Sequence, residues 1–163
     1  MSTPPKPNPA IYLKLRSNAL QAPLPDLATD LVHVVLMDWH VGAGTASVLA
    51  ASDGTASIYL SNGGGFLGGG QKSTTVHTLA LKAVQLARIA APLCEHTDTI
   101  DLPAAGEVFF YLRSNSGLRR GAATEAAMSS GKDPLVALGN AMQQIVSAYR
   151  AISSMQPSKK PSP

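Results

Sequence analysis

Between residues 31 and 153 the apolar positions follow two different periods. Residues 31–39 (Leu-Val-His-Val-Val-Leu-Met-Asp-Trp) are apolar and β-branched on both faces, the pattern of a strand buried inside a sheet. Residues 45–51 and 55–61 predict two more strands, and in the latter Ile58 and Leu60 alternate with Ser57, Tyr59 and Ser61. Ser52-Asp53-Gly54 between them carries turn chemistry, because glycine tolerates positive φ and aspartate bonds its own backbone.

The period then lengthens. From Ser73 to about Ala91, the residues Val76, Leu79, Ala80, Ala83, Val84, Ala87 and Ala90 recur every three or four positions, leaving a narrow polar stripe of Thr75, Thr78, Lys82, Gln85 and Arg88. This predicts a mostly buried helix that Pro92 ends or kinks. Residues 107–113 form an aromatic strand, and Asn115-Ser116-Gly117 is a second turn. Residues 118–125 return as an edge strand guarded by Arg119, Arg120 and Glu125. Asp133 with Pro134 opens a last helix, in which Leu135, Leu138, Met142, Ile145, Tyr149 and Ile152 form a heptad-like stripe. That stripe either packs on the sheet or pairs with a partner helix.

The predicted order is β-β-β-α-β-β-α: an α+β domain with an antiparallel sheet of about five strands and helices packed on it. The domain spans residues 11–153. Residues 1–10, with four prolines, and residues 154–163 read as disordered tails. In residues 11–30, Ile11, Leu13 and Leu15 alternate like a short strand, and Pro23 and Pro25 forbid a long helix.

Composition narrows the function classes. The chain has 163 residues, 45% hydrophobic and 14% charged, a low charge content that points to extra surface buried against a partner, with a homodimer expected. The net charge of +3 resides in the tails: Lys6, Lys159 and Lys160 account for it, leaving ten charges of each sign between them. No clustered basic footprint for nucleic acid exists. One cysteine, no apolar leader and no apolar run long enough to span a bilayer predict a cytoplasmic protein without membrane attachment.

The most unusual stretch is glycine-rich. Gly63, Gly64, Gly65, Gly68, Gly69 and Gly70 surround Phe66 and Leu67 and lead into Gln71, Lys72 and Ser73. Each glycine costs roughly 0.5–1 kcal/mol against alanine in a regular element, so several together point to a geometric need. Three roles compete. The loop is a strand-to-helix connection with Phe66 and Leu67 tucked into the core. Alternatively, Phe66 and Leu67 are exposed anchors for a protein partner. In the third role, the glycines with Lys72 and Ser73 bind a small anion at the helix start, making residues 62–73 a ligand-sensing site. The likeness to a phosphate-binding P-loop is accidental, because Gln71 separates Gly70 from Lys72 and the loop follows a hairpin.

Asp53-Gly54-Thr55-Ala56-Ser57-Ile58-Tyr59-Leu60-Ser61 followed by the glycines resembles a motif of small uncharacterised bacterial proteins, a likeness that implies no activity. The topology over residues 31–153 resembles the profilin-like class, which includes the roadblock and longin domains.

No reactive constellation is visible. Cys94 and His96 stand two apart, the wrong spacing for a pair on a helix or a zinc site. His33, His40 and His77 are isolated, and Asp38-Trp39-His40 reads as a strand-end cap. No catalytic residue, metal or cofactor is assigned. The chain is expected to be a non-enzymatic interaction or scaffold domain acting as a homodimer, with small-anion sensing as the alternative.

Overall fold

The computed structural model describes residues 9–21, 24, 31–41, 44–62, 65, 66, 73–131 and 133–155. The elements in chain order are α1 (Pro9–Gln21), β1 (Val34–Val41), β2 (Gly44–Ala51), β3 (Ala56–Leu60), β4 (Gly65–Phe66), α2 (Thr74–Ala90), β5 (Glu95–His96), β6 (Glu107–Ser114), β7 (Gly117–Thr124), α3 (Glu125–Ser130) and α4 (Val136–Met155). The strands form one antiparallel sheet in the order β4-β3-β2-β1-β6-β7-β5. β1 lies at its centre, as its two-sided apolar pattern requires.

The α+β class with five long antiparallel strands agrees with the sequence pattern, but β7 is not the edge strand expected at residues 118–125: β5 pairs outside it at Arg119 and Arg120, and Glu125 begins α3. The two-residue strands β4 and β5, and the short helix α3, have no period to read. They extend the sheet at its two ends, where short strands leave little edge for another chain to pair with. α1 corrects the strand-like alternation at residues 11–15: Ile11, Leu13 and Leu15 belong to a helix. This helix starts at Pro9, and α4 runs to Met155, so each enters a segment that read as a tail.

Every long strand splits its side chains between two layers. Val35, Met37, Val48, Ala50, Ile58, Val108, Phe110 and Leu112 point to one face and pack against α2 and α4. The heptad-like stripe lies in this core, with Leu135 just before α4 and Leu138, Met142, Ile145 and Tyr149 within it buried, and Ile152 packed against them. Its apolar positions are therefore satisfied within the chain, and the Tyr149 hydroxyl donates to the Ala56 carbonyl at 2.5 Å. Leu36, Leu49, Tyr59 and Tyr111 point to the opposite face, where α1 covers them with Tyr12 and Leu20. The described elements thus make three layers, with α2, α4 and the short α3 on one side of the sheet and α1 on the other.

Local chemistry explains the joints. Ser73 N-caps α2, its hydroxyl accepting from the Val76 amide at 3.2 Å. Pro92 sits in the 3₁₀ turn Ala91–Leu93 that ends the helix. Asp133 accepts from the Leu135 amide at 2.8 Å just before α4. In the β2–β3 turn, Gly54 has φ +86°, and a Cβ there would lie 2.0 Å from His77 Nδ1. Glycine is needed both for the backbone and for the approach of α2.

Candidate functional site

The strongest polar centre lies under α1, on the outer face of the sheet. Tyr12, Arg16 and Leu20 are four residues apart, so one stripe of the helix carries all three onto the strands. Arg16 is 2% exposed and Asp38, from the middle of the central strand, is 0% exposed. The guanidinium donates to Asp38 Oδ2 through Nη2 at 2.7 Å and Nε at 3.1 Å, with Nε also 3.3 Å from Oδ1, a multi-point contact that the planar guanidinium can make.

The remaining donors and acceptors are also matched. Arg16 Nη2 donates to the Asp101 carbonyl at 3.1 Å and Nη1 to the Ile100 carbonyl. The Arg16 guanidinium carbon lies 5.1 Å from the centre of the Tyr111 ring, within cation–π range. Ser47 donates to the second oxygen of Asp38, and Tyr12 hydrogen-bonds Ser47 at 2.6 Å. The Tyr111 hydroxyl donates to the Asp101 carbonyl. Together, Asp38, Ser47, Tyr111 and the 100–101 backbone form a cradle for one arginine side chain.

Burial governs the electrostatics. It pushes the Asp38 carboxyl up from its ordinary value, against the opposing pull of Arg16 and Ser47. Tyr12 is pushed up from 10.0 to about 12, first by burial and then by the charge of Asp38. Burial raises Tyr59 and Tyr111 in the same direction. With both carboxylate oxygens engaged and no exposure, Asp38 is a fixed anchor with no face open to a substrate.

The raised phenol has a consequence in alkali. The unfolded chain ionises Tyr12 near its ordinary value of 10.0, whereas the folded chain holds the proton until about 12. This contribution to stability is complete below pH 10 and is lost as pH rises through about 12. Tyr12→Phe should lose about 1 kcal/mol at neutral pH with the Ser47 hydrogen bond, yet fall less steeply across that alkaline window. Urea unfolding at a series of pH values measures both changes. An unchanged alkaline slope in the variant would contradict the assignment.

The glycine-rich residues are distributed differently. Gly65 and Phe66 form β4 and pair with Tyr59 and Ile58 at the sheet edge. Ser73 is the cap of α2. Gly63, Gly64, Leu67, Gly68, Gly69, Gly70 and Lys72 lie outside the described residues.

Two of the isolated histidines have hydrogen-bond contacts, although His33 Nε2 is buried without one among the described residues. His40 Nε2 contacts the Pro103 carbonyl at 2.9 Å, and His33 Nδ1 contacts Ser52 at 3.2 Å. Cys94 is buried, which pushes its thiol up and away from reactivity. Arg119 donates to the Cys94 carbonyl, while Arg120 stacks 4.8 Å from the Phe109 ring on the outer face. Among the described residues, no three metal-ligating side chains converge, and no helix is long and apolar enough to cross a membrane.

Asp38 is the main correction at the level of the site: it is a buried ion-pair partner in mid-strand, not a strand-end cap. One signal pointed that way. A carboxylate within a two-sided apolar run needs a cation, and Tyr12, Arg16 and Leu20 share a helical stripe. Comparisons with family models, curated proteins and solved structures find no match to this chain.

Proposed function

We propose that this chain is a non-enzymatic interaction domain that associates with a second copy of itself. One observation carries the reading. Ile89, near the end of α2, and Leu93, in the 3₁₀ turn that follows it, are 74% and 57% exposed, whereas the other apolar side chains of α2 are buried or partly buried. Two large aliphatic side chains left this exposed at the junction of a helix and its terminating turn offer apolar surface for a partner to bury.

The charge balance favours a second copy as the occupant. With ten charges of each sign between the tails and 14% charged residues overall, little net repulsion keeps two domains apart. The polar groups under α1 support the non-enzymatic part, because the cradle is closed around the chain's own arginine. A profilin-like layering of helices on an antiparallel sheet is compatible with such a scaffold role.

Size-exclusion chromatography with light scattering tests the association. The wild-type chain is expected to be a dimer at micromolar concentration, and Ile89→Glu with Leu93→Glu should return it to a monomer without loss of helix content. Both side chains are exposed, so the substitutions leave the core intact. A wild-type monomer at that concentration overturns the proposal.

A further inference from the structure

On the inner side of the sheet, away from Arg16 and Asp38, a cleft of about 350 Å³ opens where α3 and α4 meet β1 and β6. Its lining includes Met37, Trp39, Val108 and Met128, with Asn140 and Gln143 from α4 beside them. The volume is within the range of small-molecule pockets, roughly 300–1,000 Å³. Gly139 belongs to the same wall, and a Cβ there would lie 2.2 Å from Met128 Cε. The missing side chain lets the flexible thioether lie over the helix, where it can adapt to an occupant.

The lining has a definite electrical character. Among the described residues that form it, Glu125 alone carries charge. Glu125 is exposed, and its carboxylate takes part in no ion pair with a described residue. An acid that pairs with no described residue, in the wall of a partly apolar recess that contains an indole and also carries Ser129, Asn140 and Gln143, is suited to an organic ammonium. The carboxylate supplies the counter-charge, while Trp39 and Met128 offer apolar surface to the body of the ligand. An anionic ligand would meet repulsion and find no donor with positive charge.

We infer that the cleft between α3 and α4 is a binding site for a small organic amine with an apolar or aromatic body, held by Glu125 at its charged end and by Trp39 and Met128 along its length. The site is separate from the Ile89 and Leu93 contact and does not depend on self-association.

Trp39 is the chain's single tryptophan, so intrinsic fluorescence reports on this cleft directly. Three probes of similar size separate the chemistry: phenylbutylamine, the neutral phenylbutanol and the anionic phenylvalerate. The amine should change Trp39 emission saturably and bind about tenfold more tightly than the alcohol, with the acid weaker still. Glu125→Gln should remove the preference of amine over alcohol while leaving the circular dichroism spectrum unchanged. An absence of saturable response to the amine overturns the inference, as does binding of the acid as tightly as the amine. Because the three probes are compared on the wild-type chain, the outcome does not depend on how the variant folds.

Discussion

Arg16→Ala is expected to destabilise the domain by about 3–5 kcal/mol, the usual consequence of removing one member of a buried ion pair. Asp38 would be left fully buried at the centre of β1 with Ser47 as its remaining side-chain partner. The size of the effect comes from the stranded charge as well as from lost attraction. Arg16→Lys should recover only part of the loss, because an ammonium cannot match the multi-point contact to the carboxylate together with the carbonyls of Ile100 and Asp101.

The decisive comparison is Arg16→Met combined with Asp38→Leu. With both charges gone, the double variant should be far more stable than Arg16→Ala and close to the wild type. Equilibrium urea unfolding measures all three. If Arg16→Ala were within about 1 kcal/mol of the wild type, the centre would behave like an exposed pair, and the closed cradle would be wrong. If the double variant were as unstable as the single one, the hydrogen bonds would matter more than the charges.

Phe110→Ala is expected to be comparably damaging, by about 3–5 kcal/mol, for a different reason. Phe110 is fully buried on the inner face of β6, opposite Met37 on β1 and Gly121 on β7. α4 closes over it at Gly139, where an added Cβ would lie 3.5 Å from its ring. Removing the ring leaves a void between layers that the sheet and α4 cannot fill without moving together. At this chain length the loss corresponds to a melting temperature lower by about 10 °C. Phe110→Leu keeps much of the volume and should lose less. Differential scanning calorimetry gives both values, and a Phe110→Ala loss below about 1 kcal/mol would contradict the packing of the inner layer. The two experiments separate the layers: the first acts through charge under α1, the second through volume under α4.

These two residues also mark where the sequence is legible. Phe110 belongs to an aromatic strand whose alternation, Val108, Phe110 and Leu112 inward and Phe109 and Tyr111 outward, is visible in the chain itself. Arg16 was hidden. Its stripe of Tyr12, Arg16 and Leu20 includes a cation, so it reads as polar, while Ile11, Leu13 and Leu15 alternate in strand fashion. The exposed positions of Ile11 and Leu13 carried the misleading signal. The cleft was equally hidden, because Trp39, Glu125 and Gln143 meet only through the packing of distant segments.

From the order of its residues alone, this chain specified the antiparallel hairpins, the Gly54 turn, the Pro92 stop and the two helices that cover one face, because each depends on periods and turn chemistry within a short window. The tertiary structure decided the second layer, the partner of Asp38, the pairing of β4 and β5, and the cleft at Trp39. Those features depend on which distant groups lie opposite one another after burial, and a buried charge can be matched from any point along the chain that the fold brings within reach.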